Sequence, residues 1–282
     1  MKIVVLGSTG MLGHAVGSYF VKQYGSKDVY LSYRNKHCSY GDQTFFFDAY
    51  TCTPDPFLDE LYLKFNPIIS KGDYIVNCIG VIKPHVESAG VERTILINSL
   101  FPWTLSHFCE RTKTKLIHIT TDCVFSGGKG KYTEQDLHDA PDLYGKSKSL
   151  GEPTNCMVLR TSIIGEELHG KQSLVEWAKS QKGQEVKGFT NHWWNGITTS
   201  AYAKVCEAII SENLYEEGVS HVFSPSPINK YELLKLLDKR FDLNLHIIPF
   251  QADQGIDRTL STIKDLNSRL DIPSIQEQIE NM

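Results

Sequence analysis

The chain has 282 residues, 41% of them hydrophobic, enough to bury a full core in one large domain or two intimately linked ones. A formal net charge of -4, with the basic residues dispersed, leaves no electrostatic footprint for nucleic acid. No apolar run approaches the length of a membrane span, and Lys2-Ile3-Val4-Val5-Leu6 opens the chain as a strand, not as a signal peptide. The seven cysteines form no C-x-x-C pair, and Cys78, Cys109, Cys156 and Cys206 fall within apolar patterns as small hydrophobes. Reduced thiols of this kind suit a cytoplasmic protein.

In chain order, the strand Lys2–Leu6 runs into Gly7-Ser8-Thr9-Gly10-Met11-Leu12-Gly13 and then into a helical run ending near Tyr24. A strand that turns through glycines into a helix brings backbone N–H groups and the positive helix end to one point, an anion site suited to a pyrophosphate. The spacing is G-x-x-G-x-x-G, and its place between strand and helix points to dinucleotide binding by Gly7, Thr9, Gly10, Met11, Leu12 and Gly13. The plain alternative is a glycine-rich turn without a ligand.

The next strand, Val29–Tyr33, ends in Arg34-Asn35-Lys36. An acidic residue at this end would accept from a ribose 2′-OH, whereas a cation accommodates a 2′-phosphate. Asp28 precedes the strand and so lies at its wrong end. Arg34 is therefore the candidate reader of the 2′-phosphate, and NADPH is expected over NADH; solvated loop charges are the alternative. Thr44–Phe47 forms a third strand with Asp48 at its end, placed to meet the adenine edge. A helix from about Pro56 to Phe65 follows, then a buried strand Tyr74-Ile75-Val76-Asn77-Cys78-Ile79-Gly80. Small residues at that end let backbone approach a cofactor, so Cys78, Ile79 and Gly80 join the cofactor set. A long helix from about Glu92 to Cys109 carries Asn98 in an apolar pattern, where a polar side chain needs partners.

The short buried strand Lys115–Ile119 leads into Thr120-Thr121-Asp122-Cys123-Val124-Phe125, and after Ala140-Pro141-Asp142 a helix opens with Tyr144-Gly145-Lys146-Ser147-Lys148. Tyr144 and Lys148 stand four apart, on one helix face. An ammonium near a phenol favours the phenolate, so Lys148 is expected to lower the pKa of Tyr144 and make it a general acid for a carbonyl oxygen receiving hydride. Strand and helix alternate throughout, which predicts a doubly wound parallel sheet of Rossmann-like α/β class with ligands at the carboxyl ends of its strands.

On these segments the chain resembles an extended short-chain dehydrogenase/reductase, and within it the dTDP-4-dehydrorhamnose reductase group. Tyr132-Thr133-Glu134, Pro141, Gly151-Glu152 and Val158-Leu159-Arg160-Thr161 extend the likeness in order to about Arg160. The resemblance implies a triad in which Thr121 hydrogen-bonds the substrate carbonyl, Tyr144 donates its proton, and Lys148 holds the nicotinamide ribose. Cys123 stands where an aromatic is common in that group, at the substrate position.

Past residue 160 the likeness loosens. A helix from about Ser173 to Gln181 leads to Phe189-Thr190-Asn191-His192-Trp193-Trp194-Asn195-Gly196-Ile197-Thr198-Thr199, read as a loop bulkier than the family's. Thr198 and Thr199 are good caps for the run Ala201–Ile210. His192, Trp193 and Trp194 are substrate candidates, because tryptophans on such a loop could stack on a base or wall a sugar pocket. The alternatives are that the tryptophans fill core and that His192 is a hydrogen-bonded loop residue. A strand His221–Phe223, a helix Lys230–Phe241 and a strand Leu245–Ile248 follow. Arg258 matches a position where the family places an Arg near the nucleotide diphosphate; the alternative is a cap or bridge. No cluster has metal-ligand spacing. Residues 1–160 with about 190–223 are expected to hold the dinucleotide, and about 161–189 with 224–282 to form a smaller, interrupted α/β substrate part.

The expected activity is NADPH-dependent reduction of a 4-keto-6-deoxy sugar on a nucleoside diphosphate, with NADH as a possible donor and a homodimer as the possible assembly. The nucleotide sugar is the expected partner, with neither nucleic acid nor membrane. Alternatives are a 3-epimerase/4-reductase on a UDP-linked N-acetyl sugar, with His192 or Cys123 as the extra acid/base, an NAD-retaining epimerase or dehydratase, and a non-catalytic subunit like that of methionine adenosyltransferase.

Overall fold

The computed structural model describes residues 1–34, 43–51, 60–169 and 172–282. Its strands in chain order are β1 (Ile3–Leu6), β2 (Val29–Tyr33), β3 (Thr44–Phe46), β4 (Tyr74–Asn77), β5 (Lys115–Thr121), β6 (Met157–Thr161), β7 (Ile163–Ile164), β8 (Glu185–Phe189), β9 (His192–Trp194), β10 (Ile197–Thr198), β11 (Gly218–His221), β12 (Ile228–Asn229), β13 (His246–Phe250) and β14 (Ile256–Asp257). The helices are α1 (Met11–Tyr24), α2 (Glu60–Phe65), α3 (Val86–Ile95), α4 (Phe101–Thr112), α5 (Leu143–Leu150), α6 (Leu174–Ser180), α7 (Thr199–Ser211), α8 (Lys230–Phe241), α9 (Leu266–Arg269) and α10 (Ile275–Glu280).

Seven strands form one sheet in the order β11-β6-β5-β4-β1-β2-β3, and every neighbouring pair in it is parallel. The apolar runs of β1 and β4 are buried on both faces, as a parallel sheet covered by helices requires. One face carries Leu12, Val16 and Phe20 of α1 and Tyr202, Val205 and Ile209 of α7. The other carries Leu61 and Phe65 of α2 and Phe101, Leu105 and Phe108 of α4. Chain order reverses between β1 and β4, which opens a crevice at their carboxyl ends. The doubly wound reading holds, and β11 returns the chain to the main sheet beside β6.

Several boundaries move. The long helix begins at Val86 rather than near Glu92, and a π-helical turn over Leu96–Leu100 interrupts it. The strand expected at His221–Phe223 is Gly218–His221, because those residues pair with Met157–Arg160. Asn35, Lys36 and the start of the helix expected at Pro56 lie outside the described residues. The segment read as a loop is largely strand: β9 pairs antiparallel with β12 and parallel with β14, while β10 pairs with β7. Thr198 does cap α7, accepting from the Ala201 amide. A second core joins α6, α8 and α10 through Val175, Leu233, Leu237 and Ile279, and Trp194 belongs to it.

The family-like residues between 132 and 160 serve to close the structure. Arg160 is buried at the end of β6. Its Nε and Nη2 donate to the two Glu152 carboxylate oxygens at 3.1 and 2.6 Å. Its Nη1 donates to His221 Nε2 at 2.7 Å, and Nη2 also donates to His138 Nε2 at 2.7 Å. His221 Nδ1 donates in turn to the Ser261 carbonyl at 2.6 Å, which fixes a neutral tautomer. Glu134 accepts from the His221 amide and the Thr262 hydroxyl, tying the C-terminal segment to the sheet edge.

This network predicts an acid sensitivity. Burial first, then the Arg160 charge, depress His221 from its ordinary 6.5 to about 4. The unfolded chain therefore binds more protons between those values, so stability present above pH 6.5 is lost as pH falls through about 4. The loss should be on the order of 3 kcal/mol. Urea unfolding between pH 7 and 4 should show this slope, and His221→Gln should flatten it; equal slopes in the two proteins would exclude His221 as the cause.

Candidate active site

The glycine loop lies at the switch point. Gly7 adopts a positive φ of 80°, and the Gly10 amide donates to the Gly7 carbonyl at 3.0 Å. A Cβ at Gly13 would stand 2.1 Å from the Gly7 oxygen, so only glycine lets α1 come so close behind the turn. A Cβ at Gly7 would lie 3.1 Å from the Ile79 side chain and 3.3 Å from the Cys78 carbonyl carbon. The loop after β1 and the Cys78–Gly80 end of β4 thus meet across the crevice. Gly10 is the N-cap of α1 without a side-chain cap, and Thr9, Met11 and Leu12 complete the turn. A narrow, glycine-walled cradle at a helix N-terminus fits a dinucleotide pyrophosphate.

Arg34 follows β2 directly and is exposed at the carboxyl edge, while Asp28 sits at the opposite end, its carbonyl accepting from the Ile3 amide. Asp48 follows β3, accepts from the Tyr50 amide at 3.1 Å and faces Arg93 at 3.9 Å.

Thr121 closes β5 and caps a short turn, its hydroxyl accepting from the Cys123 amide and donating to Asp122. Helix α5 starts at the cap Asp142, which accepts from the Gly145 amide. A Cβ at Gly145 would stand 2.3 Å from the Cys123 carbonyl oxygen, so the helix lies directly on the turn. That contact sets the Tyr144 phenol beside the Thr121 hydroxyl. Lys148 is buried beneath, Nζ donating to the Ile119 carbonyl at 2.9 Å. A Cβ at Gly80 would be 3.9 Å from that Nζ and 3.4 Å from Asn98 Oδ1.

Asn98 finds the partners it requires. It accepts from the Val81 amide at 2.7 Å and donates to the Val81 carbonyl at 2.9 Å and to Ser147 Oγ at 3.1 Å. The π turn aims this amide at the end of β4 and at α5 together, a common use of such turns at functional sites.

The electrostatics correct one expectation. Burial pushes the Tyr144 phenol above its ordinary value, with Cys123 adding and the Thr121 hydrogen bond opposing. Lys148 does not lower it here: burial instead brings the ammonium down to about 8, against Glu152 and Cys78. Desolvation dominates both groups, each of which burial drives towards its neutral form. Burial also raises the Cys78 and Cys123 thiols to about 12.

The substrate candidates divide. Trp194 is buried, whereas Trp193 is 41% exposed. The His192 ring stacks on Phe189 at 4.4 Å, and burial lowers its pKa. Arg258 donates from Nε and Nη2 to the carbonyls of Phe125 and Ser126 at 2.9 and 3.2 Å, so part of its fork bridges the turn after Thr121. Sequence reasoning missed Lys230, which enters the site from the first turn of α8 beside Trp194; one lysine at a helix start carried no signal. Among the described residues no cluster of His, Cys, Asp or Glu could hold a metal ion, and no helix is long and apolar enough to cross a membrane.

Residues 1–278 match the family described as RmlD substrate binding domain. The chain belongs to this family. Among curated relatives of this RmlD-family chain, methionine adenosyltransferase 2 subunit beta of Danio rerio is 28% identical over 262 residues, covering 88% of this chain and 76% of its own. Spore coat polysaccharide biosynthesis protein SpsK of Bacillus subtilis (strain 168) is 25% identical over 197 residues, 66% of this chain and 68% of its own. Among solved structures, dTDP-4-dehydrorhamnose reductase from Bacillus anthracis in complex with NADP superposes with a TM-score of 0.75 at 18% identity, covering 100% of this chain and 98% of that one. At that identity the likeness supports the fold.

Proposed function

We propose that the protein reduces a 4-keto-6-deoxy sugar carried on a nucleoside diphosphate, with NADPH as donor. The observation that carries this reading is the convergence of Thr121, Tyr144 and Lys148 beside the Gly7–Gly13 cradle at the carboxyl ends of β1, β4 and β5. NADPH supplies the hydride. Gly7, Thr9, Gly10, Met11, Leu12 and Gly13 would hold its pyrophosphate, Cys78, Ile79 and Gly80 would line its path, Asp48 would meet the adenine edge, and Arg34 would take the 2′-phosphate. Thr121 orients the substrate carbonyl and Tyr144 gives the new alkoxide its proton. A phenol kept protonated by burial is suited to donate, and Lys148 places a positive charge where negative charge develops. In this reading residues 1–160 with about 190–223 hold the dinucleotide, and about 161–189 with 224–282 hold the sugar nucleotide. A cytoplasmic location and a homodimer belong to the same proposal.

The test is NADPH oxidation against freshly generated dTDP- and UDP-linked 4-keto sugars. Turnover on one of them is expected; none on any would remove the reading. A second reading, a non-catalytic subunit, draws support from the match to the methionine adenosyltransferase subunit over 88% of this chain. It predicts dinucleotide binding without turnover.

Cofactor choice gives a separate prediction. Arg34→Ala should weaken NADPH about 10-fold or more while leaving NADH nearly unchanged, because only NADPH carries the phosphate that a guanidinium contacts. Dissociation constants rising equally for both would sink the assignment.

A further inference from the structure

A cavity of about 160 Å³ opens between Met11 at the head of α1, Ile82 after β4, Ser162 after β6, and Trp194 with Lys230 on the smaller part. Met11 belongs to the glycine cradle, so this cavity continues the dinucleotide crevice toward the second core. Apart from Glu167, Lys230 is the charged group among its walls.

Lys230 is oddly placed for a structural lysine. As the first residue of α8 it sets a cation at the positive end of a helix dipole, where an acidic residue would be favoured. Its ammonium makes no hydrogen bond or ion pair with the described residues; it lies 5.1 Å from the centre of the Trp194 ring. The titratable groups facing it are Asp122, the neutral Cys123 thiol and Arg258, all around the turn that follows Thr121. Arg258 is already bound to two carbonyls of that turn, and Asp122 already accepts from the Thr121 hydroxyl. Burial of the Lys230 ammonium lowers its pKa, so its position costs stability and returns no native hydrogen bond. A cation held this way at the wall of a cleft is arranged for a ligand.

We propose that Lys230 is a substrate-binding, specificity-determining residue that donates to the carbonyl oxygen of an acetamido substituent on the sugar of the bound nucleotide sugar. The inference rests on the nucleotide-sugar reading of the site and deepens it. The Trp194 ring fixes the direction of the ammonium from below, and Asp122 keeps it near the Thr121 end of the cleft. A charge-assisted bond to an sp² oxygen offsets the lost hydration, and on a 6-deoxy sugar, which has no C6 carboxylate, that oxygen is an acetamido carbonyl.

The test uses the full chain and equilibrium binding read by intrinsic tryptophan fluorescence. UDP-N-acetylglucosamine, UDP-glucuronic acid, UDP-glucose and UDP alone are titrated into wild type, Lys230→Met and Lys230→Arg. Lys230→Met should weaken UDP-N-acetylglucosamine about 10- to 100-fold, the size of a lost hydrogen bond to a charged group, and UDP-glucose and UDP-glucuronic acid much less. UDP alone should bind both proteins equally, and Lys230→Arg should recover part of the loss. A loss confined to UDP-glucuronic acid overturns the acetamido assignment. Melting temperature should stay level or rise in Lys230→Met, since an unfavourable cation has been removed. Equal binding of every ligand by wild type and Lys230→Met overturns this inference alone. An equal loss for UDP itself assigns the lysine to the diphosphate and also overturns it. Failure of wild type to bind any of the four, or dTDP and dTDP-glucose titrated beside them, overturns the nucleotide-sugar reading together with it.

Discussion

Tyr144→Phe is expected to lower turnover by about two to four orders of magnitude, the contribution of a positioned proton donor. NADPH affinity should hardly change, because the phenol oxygen meets Thr121 and the carbonyl, and the cradle is built by Gly7 and Gly13. The contact of α5 with the Cys123 turn is made at Gly145 and survives the substitution, so folding should be unaffected. The pH profile of the wild type supplies an independent check. Lys148 must be protonated to stabilise the developing alkoxide, and burial brings it to about 8. Its charge is full below that value and is lost as pH rises through it, so kcat should decline above about pH 8. Tyr144→Phe with wild-type kcat would remove the phenol from the mechanism; a flat profile from pH 7 to 10 would remove the Lys148 charge.

How far the sequence revealed this site depended on whether a feature is local. The turn through Gly7, Gly10 and Gly13 is a local device, as is the Tyr144/Lys148 helix face, and both lie where their spacing puts them. That the sheet is parallel and doubly wound followed from alternation, whereas its strand order came only with the structure. What escaped was set by tertiary neighbours. His192–Trp194 reads as a loop because its aromatic run has no period, yet its backbone is claimed by Asn229 and Asp257 from distant segments. The pKa of Tyr144 is raised first by its burial, with Cys123 and Asp122 adding, and not lowered by its neighbour one turn away. Glu152 and Arg160 carried the family likeness without a visible reason; the reason is their bidentate pair at the carboxyl end of β6. Lys230 gave no sign because its meaning comes from Trp194, some 36 positions earlier, and from the Asp122 turn.

The paired tryptophans should separate sharply on truncation. Trp194 is 5% exposed and lies in the second core with Ile164, Leu233 and Leu237. Its indole covers Gly196 so closely that a Cβ there would stand 2.3 Å from Cζ2. Trp194→Ala therefore removes a large, fully enclosed ring and should cost about 3–5 kcal/mol. For a chain of this size that is a fall in Tm of roughly 6–20 °C. The same substitution strips the wall opposite Met11 and the ring beneath Lys230, so KM for the sugar nucleotide should rise as well. Trp193 points the other way along the strand and is 41% exposed. Its backbone bonds with β12 and β14 survive truncation, so Trp193→Ala should cost under about 1 kcal/mol and leave KM near its wild-type value. Core role and pocket role are thus joined in one residue and absent from its neighbour, as the two-residue period of a strand requires. Chemical unfolding of the two single variants, with KM for each, reads both effects; equal destabilisation by both truncations would show that the face assignment of β9 is wrong.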